Sequence, residues 1–291
     1  MKIYEVIGCA LTKLYESIPG SPTDREGAVW AAINRLDDQF RRLHEGIAID
    51  YSDNATQFAY LFKYAGIRAS AISSRQQIAA LNLLYANENL RISCFGGGPG
   101  SDVLGILQHW ERIDSETILQ IDLADVDASW ETTARLVWEC ASLHLDMRRH
   151  PALAFRRFDA SDANVATTLQ AFTNAQYFTV SYLLSELPNY AVAFRFVDAM
   201  MSNAQTGSVF LLIDNDTDQI WNNNTEGISK LLTNISGRGD LETKVYEQKT
   251  IYLDDEDVGD MGDHFDRFGS FERNGHPNVT LNATYLIAVK K

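Results

Sequence analysis

The chain has 291 residues, 45% of them hydrophobic and 22% charged, with a formal net charge of −14. That length suits one large domain or a core domain with an appendage, and the composition is that of a folded chain rather than a disordered one. The acidic balance makes nucleic acid an unlikely partner, because contact with phosphate backbones needs clustered Lys and Arg.

Residues 1–88 read as helical. Thr23-Asp-Arg-Glu26 fits a capping box, after which Val29, Ile33, Leu36, Phe40 and Leu43 recur at helical spacing. A second helix is expected from about Asn54, carrying Phe58, Leu61, Phe62 and Ala65, and a third from about Ser73 to Tyr85. Without a strand-like run, this segment is expected to form an N-terminal helical cap on a second domain spanning 89–291. Met1–Val6 is too weakly apolar to open a signal peptide, and no apolar run reaches the length of a membrane span.

From Leu90 strands and helices alternate. Candidate strands are Leu90–Phe95, Ile118–Ala124, Ala154–Phe158, Phe178–Leu183 and Val209–Ile213. Helical stretches fall between them near Asp102–Trp110, Trp130–Met147, Ala163–Phe172 and Tyr190–Asn203. Such alternation implies βαβ units and a parallel sheet. A helix near Gln219–Asn234 precedes Glu242–Leu253 and Val279–Val289, which are too close for a helical crossover and are expected to pair antiparallel. The predicted fold is therefore α/β: a Rossmann-like, doubly wound, mostly parallel seven-stranded sheet closed by an antiparallel pair.

Between the last two strands, the run Asp254–Asp263 is acidic and glycine-rich. It lacks the ligand ladder of a calcium loop, so no metal site is read there, and a solvated loop folding over a pocket is expected. Cys9, Cys94 and Cys140 are widely spaced and match neither a disulfide framework nor a zinc pattern, which implies a reducing, cytoplasmic setting. Nothing in the sequence sets the oligomeric state.

The chemistry concentrates in Phe95-Gly-Gly-Gly-Pro-Gly-Ser-Asp102, a glycine loop between a strand and a helix. Gly96, Gly97, Gly98 and Gly100 let a ligand approach the backbone, and the helix start offers unpaired N–H groups. A dinucleotide fingerprint needs G-x-G-x-x-G/A, and Ser101 occupies its third glycine position. The spacing G-x-G-x-G is fully met by Gly96, Gly98 and Gly100.

Together with the terminal strand pair, this loop resembles the first motif of the class I S-adenosylmethionine-dependent methyltransferases, and the resemblance runs from Leu90 to the C-terminus. It implies S-adenosylmethionine as cofactor, with the ribose hydroxyls held by a carboxylate at the end of the second strand, for which Asp125 is preferred over Asp122. It implies Asp159 and Ala160 beside the adenine, and Ser181 and Tyr182 beneath the sulfonium and the incoming substrate. The acid that usually ends the first strand is replaced by Cys94, so Asp102 is expected to meet the cofactor's ammonium group. On the capping segment, Tyr60 and Tyr64 share one helix face at i and i+4 and are candidate substrate contacts. His144, His150, His264 and His276 are the candidate bases. The expected function is methyl transfer to a small-molecule or protein acceptor. A methyltransferase-like binding or scaffold protein without catalysis is the alternative, and an NAD-dependent oxidoreductase is the weaker one.

Overall fold

A computed structural model of the chain describes residues 1–42, 49–145, 151–215, 227–253, 255–270 and 275–291. Leu43, Met147, His150, Asp254 and most of the stretch before Ser229 in the expected helix 219–234 lie outside these. The seven strands are β1 (Asn89–Phe95), β2 (Ile118–Asp125), β3 (Ala152–Arg157), β4 (Tyr177–Ser181), β5 (Val209–Asn215), β6 (Leu241–Tyr252) and β7 (Thr280–Lys290). They form one sheet in the order β3-β2-β1-β4-β5-β7-β6. The first five strands run parallel, and β7 inserts antiparallel between β5 and β6. The predicted architecture is therefore the observed one. Between β1 and β4 the winding reverses, which opens a crevice at the carboxyl ends of the strands.

Both faces of the sheet are covered, as the near-continuous apolar strands require. Along β5, Val209, Leu211 and Ile213 enter one core, while Phe210 and Leu212 enter the other. The second core is filled by α8 (Val165–Thr168), α9 (Tyr190–Asn203) and α10 (Ile228–Ser236). The first is covered by α1 (Ile3–Ser17), α2 (Pro22–Arg41), α3 (Asn54–Tyr60), α4 (Gly66–Arg75), α5 (Ala79–Asn82), α6 (Ser101–Arg112) and α7 (Trp130–His144). Residues of the first 88, such as Ile7, Phe58 and Ile72, share that core with Ile92 of β1 and Leu119 of β2. Contact between α4 and α6 is close because Gly105 has no side chain: a Cβ there would lie 2.4 Å from the Ala69 carbonyl oxygen.

Several local expectations shift. The capping box sits at Ser21 and Asp24, not Thr23 and Glu26, because Pro22 suits the first helical position. The helix expected over 73–85 is broken: α4 ends at Arg75, and the buried Gln76 amide bridges the hydroxyls of Tyr177 and Tyr85. Strand β4 stops at Ser181 rather than Leu183, since Tyr182 takes a left-handed backbone with φ of 57°.

The acidic run is not a solvated loop over a pocket. Its described part forms α11 (Asp255–Gly259) and α12 (Asp263–Phe268), anchored by buried Val258, Met261 and Phe268. Phe268 packs edge-on against Phe58, Phe62 and Trp30. The acidic residues hide an amphipathic pattern whose apolar members cover α1.

A further correction concerns the cysteines. Cys9 of α1 and Cys140 of α7 form a disulfide across 131 residues, with Cα atoms 5.9 Å apart, and only Cys94 is free. Wide spacing concealed the pair because helix packing, not local sequence, brings them together. Closing so long a loop constrains the unfolded chain. Cys9→Ser is expected to lower stability by about 2–4 kcal/mol. Reductant should bring the wild type to the same unfolding midpoint; a midpoint indifferent to reductant would show that the bond contributes nothing.

Candidate functional site

The glycine loop turns at the end of β1. Gly96, Gly98 and Gly100 all have positive φ, of 65°, 47° and 95°, a region that disfavours side chains. Gly97 is required for another reason: a Cβ there would fall 2.0 Å from Leu123 Cδ1. The loop is held from two sides. The Ala124 carbonyl accepts from the Gly96 N–H at 2.9 Å, and the Asp125 carboxylate accepts from the Gly98 N–H at 2.8 Å. Asp125 also accepts from the Asp127 N–H at 3.0 Å, while burial pushes its carboxyl up.

Beside this loop lies a pocket of about 320 Å³. Of the residues anticipated from sequence, Gly96, Gly98, Asp125, Asp159, Ala160, Tyr60 and Tyr182 line it. Asp159 accepts from the Ser161 N–H at 2.8 Å, which tightens the turn after β3. Gly97, Gly100, Asp102 and Ser181 are buried behind the wall rather than in it.

Two candidates are placed elsewhere. Asp122 lies along β2 and pairs with Arg156 of β3, three residues short of the strand end. Tyr64 donates to Asp37 at 2.7 Å and lines a separate groove with Lys63 and His276. A π-helical turn, Leu61–Ala65, follows Tyr60, yet the two rings stay 5.7 Å apart, so the face expected for Tyr60 and Tyr64 is shared while the Tyr64 hydroxyl turns to Asp37.

None of the described histidines reaches the pocket. His144 lies 3.8 Å from Glu5 on the outside of α7. His264 contacts the Thr12 hydroxyl and packs on Phe58, with burial and then Arg267 lowering its pKa. His276 packs edge-on against Phe265.

The wall residues that escaped the sequence reading include Tyr51, Arg68, Trp130 and Glu186. Only Glu186 had a signal, standing five residues beyond β4 in Ser185-Glu-Leu-Pro188. The packed pocket walls push its carboxyl up against the pull of Arg68, although the side chain keeps contact with solvent.

Asp102 opens α6 and is 2% exposed, and its Oδ2 has no hydrogen-bond partner. Burial pushes its pKa up to about 6, with the Thr179 and Ser181 hydroxyls and Arg68 pulling it down. A buried acid left short of partners suits a cationic ligand group better than it suits the free protein.

No family model and no curated protein matches the chain. Solved structures do. An O-methyltransferase family protein from Burkholderia thailandensis aligns over 91% of this chain and 72% of its own, at 12% identity and a TM-score of 0.52. The N-methyltransferase NodS from Bradyrhizobium japonicum, in complex with S-adenosyl-L-homocysteine, aligns over 78% of this chain and 88% of its own, at 10% identity and a TM-score of 0.45. The likeness to the Burkholderia protein establishes the fold: the chain has the class I methyltransferase fold.

The Asp102 shift has a signed consequence. Its folded pKa lies above the unfolded value, so the stabilisation present below about pH 4 is lost as pH rises through 6. Asp102→Asn should therefore stabilise the free protein by about 1–3 kcal/mol at pH 8, with the gain vanishing by about pH 4. Chemical denaturation at the two pH values checks this; equal gains at both would remove the titration argument.

Proposed function

We propose that this chain is an S-adenosylmethionine-dependent methyltransferase acting on a small-molecule or protein acceptor. The observation that carries the reading is one pocket, at the crevice of this fold, that gathers Gly96, Gly98, Asp125, Asp159 and Tyr182 from the ends of three neighbouring parallel strands and β3.

The residues present fit the cofactor. Asp125 offers carboxylate oxygens to a pair of ribose hydroxyls, and Asp159 and Ala160 border the space for the adenine. Trp130 supplies an aromatic face in the same wall, and the Gly98 position is open: a Cβ there would meet nothing closer than Trp130, at 3.7 Å. Asp102 is buried behind this wall, from where its charge would favour the cofactor's ammonium group. When bound, the cofactor supplies an electrophilic methyl group on sulfur.

The protein's own task is alignment and exclusion of water, which an in-line displacement needs more than it needs a base. Tyr60 and Tyr182 form the acceptor side of the pocket, and Glu186 is the carboxylate placed to take a proton from an acceptor that must lose one. The helical segment before β1 closes this side, as a cap would. We place the enzyme in the cytoplasm on the cofactor class alone, since the Cys9–Cys140 bond removes the support that the cysteine spacing offered.

Isothermal titration with S-adenosylhomocysteine tests the assignment. Saturable binding is expected, and Asp125→Ala should weaken it by roughly tenfold or more, the loss of charge-assisted hydrogen bonds. Asp122→Ala, which breaks only the pair with Arg156, should leave affinity within about twofold. A wild-type protein that does not bind the nucleoside would overturn the proposal.

A further inference from the structure

A continuous run of hydrogen bonds along the pocket wall ties the glycine loop to the helical segment before β1. The Gly98 N–H donates to the Asp125 carboxylate at 2.8 Å, and that carboxylate also accepts from the Asp127 N–H at 3.0 Å. The Asp127 carboxylate in turn accepts from the Ser129 N–H at 2.9 Å, which tightens the approach to α7. The run ends on Gln57 of α3. Its Nε2 donates to the Ser129 hydroxyl at 3.0 Å and to the Tyr51 carbonyl at 2.8 Å, and its Oε1 accepts from the Thr133 hydroxyl.

Gln57 and Thr133 are 2% and 1% exposed, so water does not replace a partner that is lost. The Tyr51 carbonyl can only accept, which turns Nε2 towards it and leaves Oε1 for Thr133. A carboxylate of the same size would set an oxygen against that carbonyl. The position therefore calls for an amide.

What this amide holds is the aromatic side of the pocket. Tyr51, Tyr60 and Trp130 all line the wall. The Trp130 ring lies 5.0 Å from that of Tyr51 and 5.2 Å from that of Tyr60, and the two tyrosine rings are 5.5 Å apart. Gln57 bonds to the backbone of Tyr51, precedes Tyr60 on the same helix, and meets Ser129 and Thr133 on either side of Trp130. It stands behind the wall rather than in it.

Resting on the methyltransferase reading for the identity of the pocket, we propose that Gln57 is a positioning residue for ligand binding. It locks Tyr51, Tyr60 and Trp130 into one wall beside the glycine loop, so the helical segment takes part in nucleoside binding without Gln57 touching the ligand. A wall set before the ligand arrives spares the cost of ordering it. Where the competent arrangement is only partly populated, affinity falls by that fraction.

The probe is S-adenosylhomocysteine, titrated by calorimetry against wild type and four variants. Gln57→Glu should weaken binding by about tenfold or more, and Thr133→Val, which keeps the shape but not the hydroxyl, by about threefold or more. Thr133→Ser restores the hydroxyl and should bind within about twofold of wild type. Cys9→Ser loses stability outside the pocket wall and should also stay within about twofold, which general destabilisation would not allow. Should Gln57→Glu fail to fold, the two Thr133 variants carry the comparison. Hydrogen exchange in the free protein separates the proposal from the cofactor assignment. Thr133→Val should exchange about threefold or more faster than Thr133→Ser over residues 51–60 and 129–133. If wild type does not bind the nucleoside while exchange responds in this way, the methyltransferase reading falls and the positioning of the wall stands. The proposal is overturned if the two Thr133 variants exchange alike, if they bind the nucleoside alike, or if Cys9→Ser weakens binding as much as Thr133→Val.

Discussion

The hydrogen bond from the Gly98 N–H to the Asp125 carboxylate, at 2.8 Å, decides the shape of everything around it. A loop with three positive-φ glycines has many conformations open to it, and each must be lost on folding. The carboxylate selects one of them by fastening the middle of the loop to the end of the adjacent strand. It does so from β2, next to the topological switch point between β1 and β4, so the ordered loop becomes the floor of the crevice. Asp125 thereby serves the fold before it serves a ligand. Its raised pKa reflects that burial, opposed by the backbone N–H groups it accepts from.

The same tension recurs along the pocket. Asp102, Tyr51 and Tyr182 bury polar atoms without partners, and Arg68 buries a cation that feels Glu186 and Asp102 but has no carboxylate within 4.0 Å among the described residues. Tyr182 adds a left-handed backbone where a strand would otherwise continue. A core selected for stability alone would not keep these groups so close together, since each costs free energy that a packed apolar residue would not. Elsewhere some buried polar groups are paired, as Lys63 is with Asp37 and Gln76 with two tyrosines, whereas others, such as the Tyr4, Ser93 and Tyr285 hydroxyls, are left without partners in the core.

Strand and helix order was legible because each element carries its own periodicity, and the terminal antiparallel pair followed from a gap too short for a crossover. The glycine loop was legible because its residues are contiguous. The disulfide, the two helices in the acidic run and the wall residues Tyr51, Arg68 and Trp130 were not, since each depends on packing between segments far apart in the chain. Phe268 reads as one aromatic among acids until Phe58, Phe62 and Trp30 surround it. Asp122 and Asp125 differ by three positions on one strand, and the preference for Asp125 held because it stands at the strand end, where it reaches the crevice.

The π-helical turn shows how a local irregularity can serve a distant end. Tyr60 and Arg68 are eight residues apart, whereas two regular turns take about 7.2 residues. On a continuous α-helix the arginine would overshoot the tyrosine's face. A wider turn over Leu61–Ala65 absorbs the excess, so the guanidinium arrives at the Tyr60 hydroxyl and over the Tyr182 ring. Tyr64 stays beside Tyr60 and the guanidinium while its hydroxyl donates to Asp37. One aromatic face thus both braces α2 and carries a cation to the pocket wall. The energetic cost of the irregular turn falls on α3 and α4, which are buried along almost their whole length and so are held by packing rather than by helical regularity.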